Sequence, residues 1–84
     1  MSSLEVNVYS LSKDAKHYKD VKVCSLTTVS GDIQILPEHA PLITALKRGK
    51  IAIKQHGHSK EIIINDVDGL VKVGNNKVDI YQVG

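Results

Sequence analysis

Four histidines, one cysteine and nine carboxylates are the side chains here with the most chemistry to offer. His56 and His58 flank Gly57, and on a strand that spacing puts both rings on one face, as a two-histidine metal clip requires. A zinc site asks for four ligands, however. His17 and His39 lie elsewhere, and Cys24 alternates with the inward residues of its own segment, so it reads as a small buried hydrophobe. His56-Gly57-His58-Ser59 is therefore read as a solvated hairpin tip, and no metal site is expected. Asp32 and His39 could serve as an orienting carboxylate and a base. Ser30 and Thr44 are the hydroxyls nearby in sequence, and no Gly-x-Ser-x-Gly elbow supplies an oxyanion hole. The phosphate-cradling pattern Gly-x-x-x-x-Gly-Lys-Ser/Thr is absent as well. The expectation is no catalytic residue, no cofactor and no small-molecule substrate.

Lys47, Arg48, Lys50 and Lys54 form one basic cluster, read either as a solvated face or as a contact for an acidic or nucleic-acid ligand. The chain as a whole carries 11 basic and 9 acidic residues, a net charge of +2. That is a weak field for gathering phosphates. With no Trp, no Phe and only Tyr9, Tyr18 and Tyr81, there are few rings on which bases could stack. A single cysteine allows no internal disulfide and suits a reducing compartment. The apolar runs fall short of the roughly 20 residues of a membrane helix, and the start has no signal-peptide pattern. Membrane association is expected only through another protein.

The elements that must position these groups follow a period of two. Leu4, Val6 and Val8 alternate with Glu5, Asn7 and Tyr9; Val21 to Thr27 and Ile33 to Leu36 behave alike. Lys50 to Gln55 and Lys60 to Asn65 flank the His56–Ser59 connection, and Leu70 to Val73 and Val78 to Ile80 flank Gly74-Asn75-Asn76. Only Ala40 to Lys47 looks helix-like, with Pro37 and Pro41 limiting its start. Short strands with frequent turn signals predict an all-β sandwich or barrel, and 84 residues predict one domain, 1–84.

The densest signal runs from Gly31 to Gly49. A strand stops at Pro37, a loop carries His39, and Pro41 launches Leu42-Ile43-Thr44-Ala45-Leu46, more apolar surface than a solvated connection holds. Here Gly31-Asp32-Ile33-Gln34-Ile35-Leu36-Pro37-Glu38-His39-Ala40-Pro41-Leu42, followed by Thr44, Leu46 and Gly49, resembles the signature of the ε subunit of F-type ATP synthases. Gly69-Leu70-Val71-Lys72-Val73 and Asn76-Lys77-Val78-Asp79-Ile80 extend the resemblance over essentially the whole chain. Three positions depart from the pattern: Gln34 and Asp68 stand where glycines are usual, and Asp20 closes an aromatic-x-Gly turn. The first two are expected to alter local turn geometry.

The resemblance implies a flattened β-sandwich of about ten short strands. It implies a non-catalytic rotor subunit of the central stalk, docked on the γ subunit and the c-ring and coupling proton translocation to ATP synthesis. Its place would be peripheral, on the cytoplasmic face of the bacterial inner membrane. Gly31, Asp32, Glu38 and His39 are expected together at one end, against the c-ring; Leu42, Ile43, Thr44 and Leu46 are expected to meet γ. Members of the family continue into a C-terminal helical hairpin that inhibits hydrolysis and in some cases binds ATP. The 84 residues contain no such hairpin, and neither property is expected of them.

Overall fold

Alternation of apolar and polar residues carries through nearly every element of the computed structural model, which describes residues 2–83. Met1 and Gly84, the ends of the expected 1–84 domain, lie outside the described residues. The strands are β1 (Leu4–Ser10), β2 (Lys16–Thr28), β3 (Gly31–Ile35), β4 (Leu42–Gln55), β5 (Glu61–Asn65), β6 (Gly69–Gly74) and β7 (Lys77–Gln82). Their order is β3-β2-β1-β7-β6-β4-β5, with β2 also pairing β4. Only β1 and β7 run parallel; the other pairs are antiparallel.

Seven strands do the work expected of about ten because two of them serve twice. β2 and β4, 13 and 14 residues long, bend at the corners of the sandwich. The first half of β2 pairs β1 and its second half pairs β3 and β4. The first half of β4 pairs β6 and its second half pairs β5 and β2. One sheet thus holds β1, β7, β6 and the near halves of β2 and β4; the other holds their far halves with β3 and β5. The body measures 35 × 24 × 18 Å, flattened as expected.

The inward parity shifts within both long strands. Along β4 the even-numbered Leu46 is buried before the corner, and the odd-numbered Ile51 and Ile53 after it. Gly49 sits at that corner, where a Cβ would overlap the side chain of Thr27. In β2 a first shift falls at Asp20, whose φ of 55° marks a bulge in the left-handed region, and a second after Val21 restores the parity at Cys24. Asp20 is the position at which the resemblance expected glycine, and aspartate is one of the few other residues that adopts that conformation readily. Gln34 and Asp68 are not among the residues of positive φ; Gln34 lies within β3, so its departure leaves a regular strand.

The segment that looked helix-like is strand from Leu42 onward. Ile43 faces Lys72, Thr44 faces Val71 and Ala45 faces Leu70, so β6 supplies the backbone partners that a helix would have found within itself. Leu26, Ile53 and Cys24 are buried as alternation predicts, and burial pushes the Cys24 thiol up to about 12. Tyr18 is buried at the rim of the core and donates its hydroxyl proton to Glu61; burial, then the neighbouring carboxylate, raises its pKa.

One polar side chain ties the corners together. Asn65 is 2% exposed. Its Nδ2 donates to the carbonyls of Lys47 at 3.0 Å and Val67 at 2.9 Å, and its Oδ1 accepts from Gln82 Nε2 at 2.8 Å. The bend of β4, the loop leaving β5 and the end of β7 all meet on this amide. Asn65→Leu leaves those groups without partners, so we expect it to cost roughly 2–3 kcal/mol. Leu26→Ala and Ile53→Ala should cost roughly 2–5 kcal/mol each, as core truncations do. Urea midpoints close to wild type for all three would contradict this account.

Candidate docking surface

The four residues expected at one end do not share it. Gly31 and Asp32 open β3, where Asp32 Oδ1 accepts from Thr27 Oγ1 at 2.9 Å. Glu38 and His39 follow the other end of the same strand, so from Asp32 to Leu36 the backbone rises about 13 Å. What joins the four is an edge: β3 is the outermost strand of its sheet.

At the far end, Leu36-Pro37-Glu38-His39 is a tight turn closed by His39 N–H to the Leu36 carbonyl at 3.1 Å. Pro37 sets the second position and Glu38, φ 68°, takes the third, the conformation of a type II turn. Glutamate is an unusual choice there, and neighbours hold it. Its backbone N–H donates to Asn76 Oδ1 at 2.6 Å, while Asn76 Nδ2 and Ser2 Oγ donate to its carboxylate at 3.2 and 2.9 Å. His39 Nδ1 lies 2.7 Å from the Ala40 carbonyl oxygen.

The expected γ-facing segment divides by parity. Leu42 and Thr44 lie on the inner side of β4, with Leu42 packed against the core, and Leu46 is 1% exposed. Leu46 therefore drops out of any surface patch. Ile43 points outward and is 67% exposed. The basic cluster divides too, since the corner at Gly49 sends Lys47 to one outer face and Lys50 and Lys54 to the other. Lys47 lies 3.8 Å from Asp68 and Lys54 donates to the His58 carbonyl, so the four basic residues do not form one continuous row. His56 and His58 stay at the hairpin tip, and among the described residues no three His, Cys, Asp or Glu side chains gather as a metal site would need.

What the segment view missed is a surface made across strands. Strand register places Tyr9 beside Tyr81, Tyr81 beside Leu70, and Leu70 beside Ala45. These four neighbours, from four strands about 4.8 Å apart, make a stripe about 14 Å wide on the outer face of one sheet. The Tyr9 and Tyr81 rings stack with centroids 5.2 Å apart and planes within 17°. Leu70 is 44% exposed beside them. The adjoining row runs His17, Asn7, Asp79, Lys72 and then Ile43. Asn7, 5% exposed, donates to Asp79 Oδ1 at 3.0 Å and Glu5 Oε2 at 3.2 Å, and accepts from His17 Nδ1 at 2.7 Å. The His17 ring in turn meets Tyr9 edge-on at 6.1 Å. Aromatic and aliphatic groups beside a fixed polar row are the make-up of a protein interface, not of a catalytic pocket. A sequence signal for it existed: two of the three tyrosines occupy outward positions of the alternation.

Over residues 3–82 the sequence matches the family described as ATP synthase, Delta/Epsilon chain, beta-sandwich domain. The ATP synthase epsilon chain of Caldicellulosiruptor bescii is 35% identical over 83 residues, 98% of this chain and 58% of the relative. Those of Alkalihalophilus pseudofirmus and Halorhodospira halophila are 33% and 30% identical over 81 and 80 residues, 95% of this chain in each case and 58% and 56% of the relatives. The chain thus spans a little over half the length of these relatives. The same fold occurs in the Euglena gracilis mitochondrial ATP synthase OSCP/F1/c-ring structure, with TM-score 0.86, 18% identity and coverage of 100% of this chain and 52% of that one. In the Tetrahymena thermophila mitochondrial ATP synthase central stalk/c-ring structure the values are 0.71, 15%, 100% and 67%.

The bonds around Glu38 make a pH test of its turn. Hydrogen bonds from Asn76, then Ser2, hold the Glu38 carboxyl below the usual carboxylate range. A folded value below the unfolded one means the contribution is present above the ordinary Glu range and is lost as pH falls through the folded value. In an NMR titration Glu38 should therefore protonate below the ordinary glutamate range, and Asn76→Ala should raise its midpoint towards that range. An ordinary Glu38 midpoint in wild type would show that the tie is not made in solution.

Proposed function

Since this chain belongs to the beta-sandwich family of the ATP synthase Delta/Epsilon chain, we propose that it is a non-catalytic subunit of the central stalk, turning with the rotor of a proton-translocating ATP synthase. The observation that carries this reading is the Tyr9–Tyr81–Leu70–Ala45 stripe with Ile43 at its flank, an apolar surface on a rigid sheet that a protein partner would cover. The partner proposed for it is the γ subunit. Ile43 stays in the contact set drawn from the sequence; Leu42 and Thr44 support it from the inner side of β4.

The c-ring contact is proposed along the β3 edge, taking Gly31 and Asp32 at one end and Glu38 and His39 at the other. Polar and charged groups at such a rim tune register and association more than they add affinity. In this reading the chain sits peripherally on the cytoplasmic face of the bacterial inner membrane, held there by the complex. Its part in coupling is mechanical: a stiff sandwich that passes rotation between ring and shaft, with bond-making left to other subunits.

Capture on immobilised γ tests the first contact. Ile43→Arg and Tyr81→Ser should each weaken capture by about tenfold or more, as truncation or charging of a buried anchor does. Circular dichroism and melting should stay near wild type, because both side chains lie outside the core. Undiminished capture by both variants would overturn the assignment. For the second contact, Asp32→Lys and His39→Glu made separately should each reduce co-assembly with the c-ring. A loss confined to one of them would limit the contact to that end of β3.

A further inference from the structure

β5 is the other edge of the molecule; its one charged residue is Glu61, whose carboxylate accepts from Tyr18. The strand pairs only β4 on one side, contains no proline, and exposes Ile62 and Ile64 to 53% and 68% on its outer face. Lys60 and Asp66 lie one residue beyond either end of the strand, Lys60 lining one surface with Ile62 and Asp66 another with Ile64, as the strand's alternation continued one step each way would place them. Both are exposed, and among the described residues neither makes an ion pair.

The order Lys60, Ile62, Ile64, Asp66 complements itself when read against its own reverse. In an antiparallel pairing of two copies about Ile63, Ile62 faces Ile64 of the second copy, and Lys60 faces the second copy's Asp66. Twofold symmetry repeats each contact, so two isoleucine pairs are flanked by two opposite-charge pairs. Either set of free backbone groups along β5 satisfies this register, because antiparallel strands alternate hydrogen-bonded and non-hydrogen-bonded pairs. We propose that β5 is a self-recognition edge through which two copies of this chain join by antiparallel strand addition, closing as a twofold dimer.

The opposite edge does not compete for this role. β3 presents Asp32 and Gln34 outward, so a β3-to-β5 contact would set isoleucines against a carboxylate and an amide. Such a head-to-tail contact would also leave free edges and grow without closing. With five residues a side, the self-contact falls below the roughly 1,200 Å² of stable complexes. The dimer is therefore weak, with a dissociation constant on the order of 0.1–1 mM. The edge lies apart from the stripe proposed for γ, and the test below uses the isolated chain without γ, so the two readings stand or fall separately.

Sedimentation velocity from about 10 µM to about 2 mM should show the wild type passing from monomer to dimer. Lys60→Asp alone and Asp66→Lys alone each turn both charge pairs repulsive and should weaken association by about tenfold or more. An equal mixture of the two variants restores both attractions across a mixed dimer, so association should return. A wild type monomeric throughout the range would overturn the proposal. So would a dimer indifferent to the charge changes, or growth beyond two copies. Circular dichroism of the single variants guards against misfolding, and recovery in the mixture cannot arise from unfolded chains.

Discussion

The corner of β4 at Gly49 is the constraint on which the rest of this molecule depends. A thin sandwich of 84 residues has too little chain for separate strands in every position, so two long strands must turn from one sheet into the other. Turning keeps the backbone bonded but changes which parity of residue faces inward. Leu46 serves the core before the turn and Ile51 after it. The turn brings β4 so close to β2 that a Cβ at Gly49 has no room beside Thr27. Asn65 then secures the carbonyl of Lys47, two residues before the glycine, to the strand beside it. If that corner opened, the Thr28 to Leu46 pairing that closes the sandwich would go with it.

The same parity shift decides what the surface can do. The turn of β4 from one sheet to the other leaves Lys47 on one outer face and Lys50 and Lys54 on the other. With it, the basic cluster splits, and the large exposed apolar groups become the informative ones. Two groupings stand out among them: the stripe from Tyr9 to Ala45, with Ile43 at its flank, on one sheet, and Ile62 and Ile64 on the edge of the other. A domain with so little interior cannot hide every large apolar side chain, so their grouping, more than their exposure, carries meaning.

Period-two patterning made the strands, the buried face and the hairpin at Asn75-Asn76 legible in the sequence, because these depend on neighbours within a few residues. The Leu36–His39 turn was legible as a break for the same reason. Segment 40–47 was not, since its partner strand begins at Gly69 and local pattern cannot see it. The same limit hid the polar anchors: Asn7 reaches Asp79 across 72 residues of chain, and Asn65 reaches Lys47 across 18. It also misjudged Asp32 and His39. Close spacing in sequence reads as closeness in space, whereas an extended strand between two residues holds them apart.

The end where strained residues collect is the one from which β4 sets out towards Ile43, and that placement has a physical consequence. Among the described residues Asp20, Glu38, Asn75 and Asn76 are the non-glycine positions of positive φ. Asn76 links Glu38 to the β6–β7 hairpin, and its carbonyl accepts from Glu5 N–H at 2.9 Å, drawing β1 into the same knot. Asp20 lies beside it, and its carbonyl accepts from His56 N–H at 3.0 Å. Backbone held in sparsely populated conformations persists only where its surroundings over-determine it. Here the surroundings are cross-strand hydrogen bonds, and they fix the end from which β4 leaves with Ile43 a few residues on. A partner settling on the stripe therefore meets a surface already ordered, and little of the association free energy is lost to freezing loops. For a part proposed to transmit torque, that stiffness is more useful than extra contact area. A contact that must order itself first would yield under load before it transmitted any.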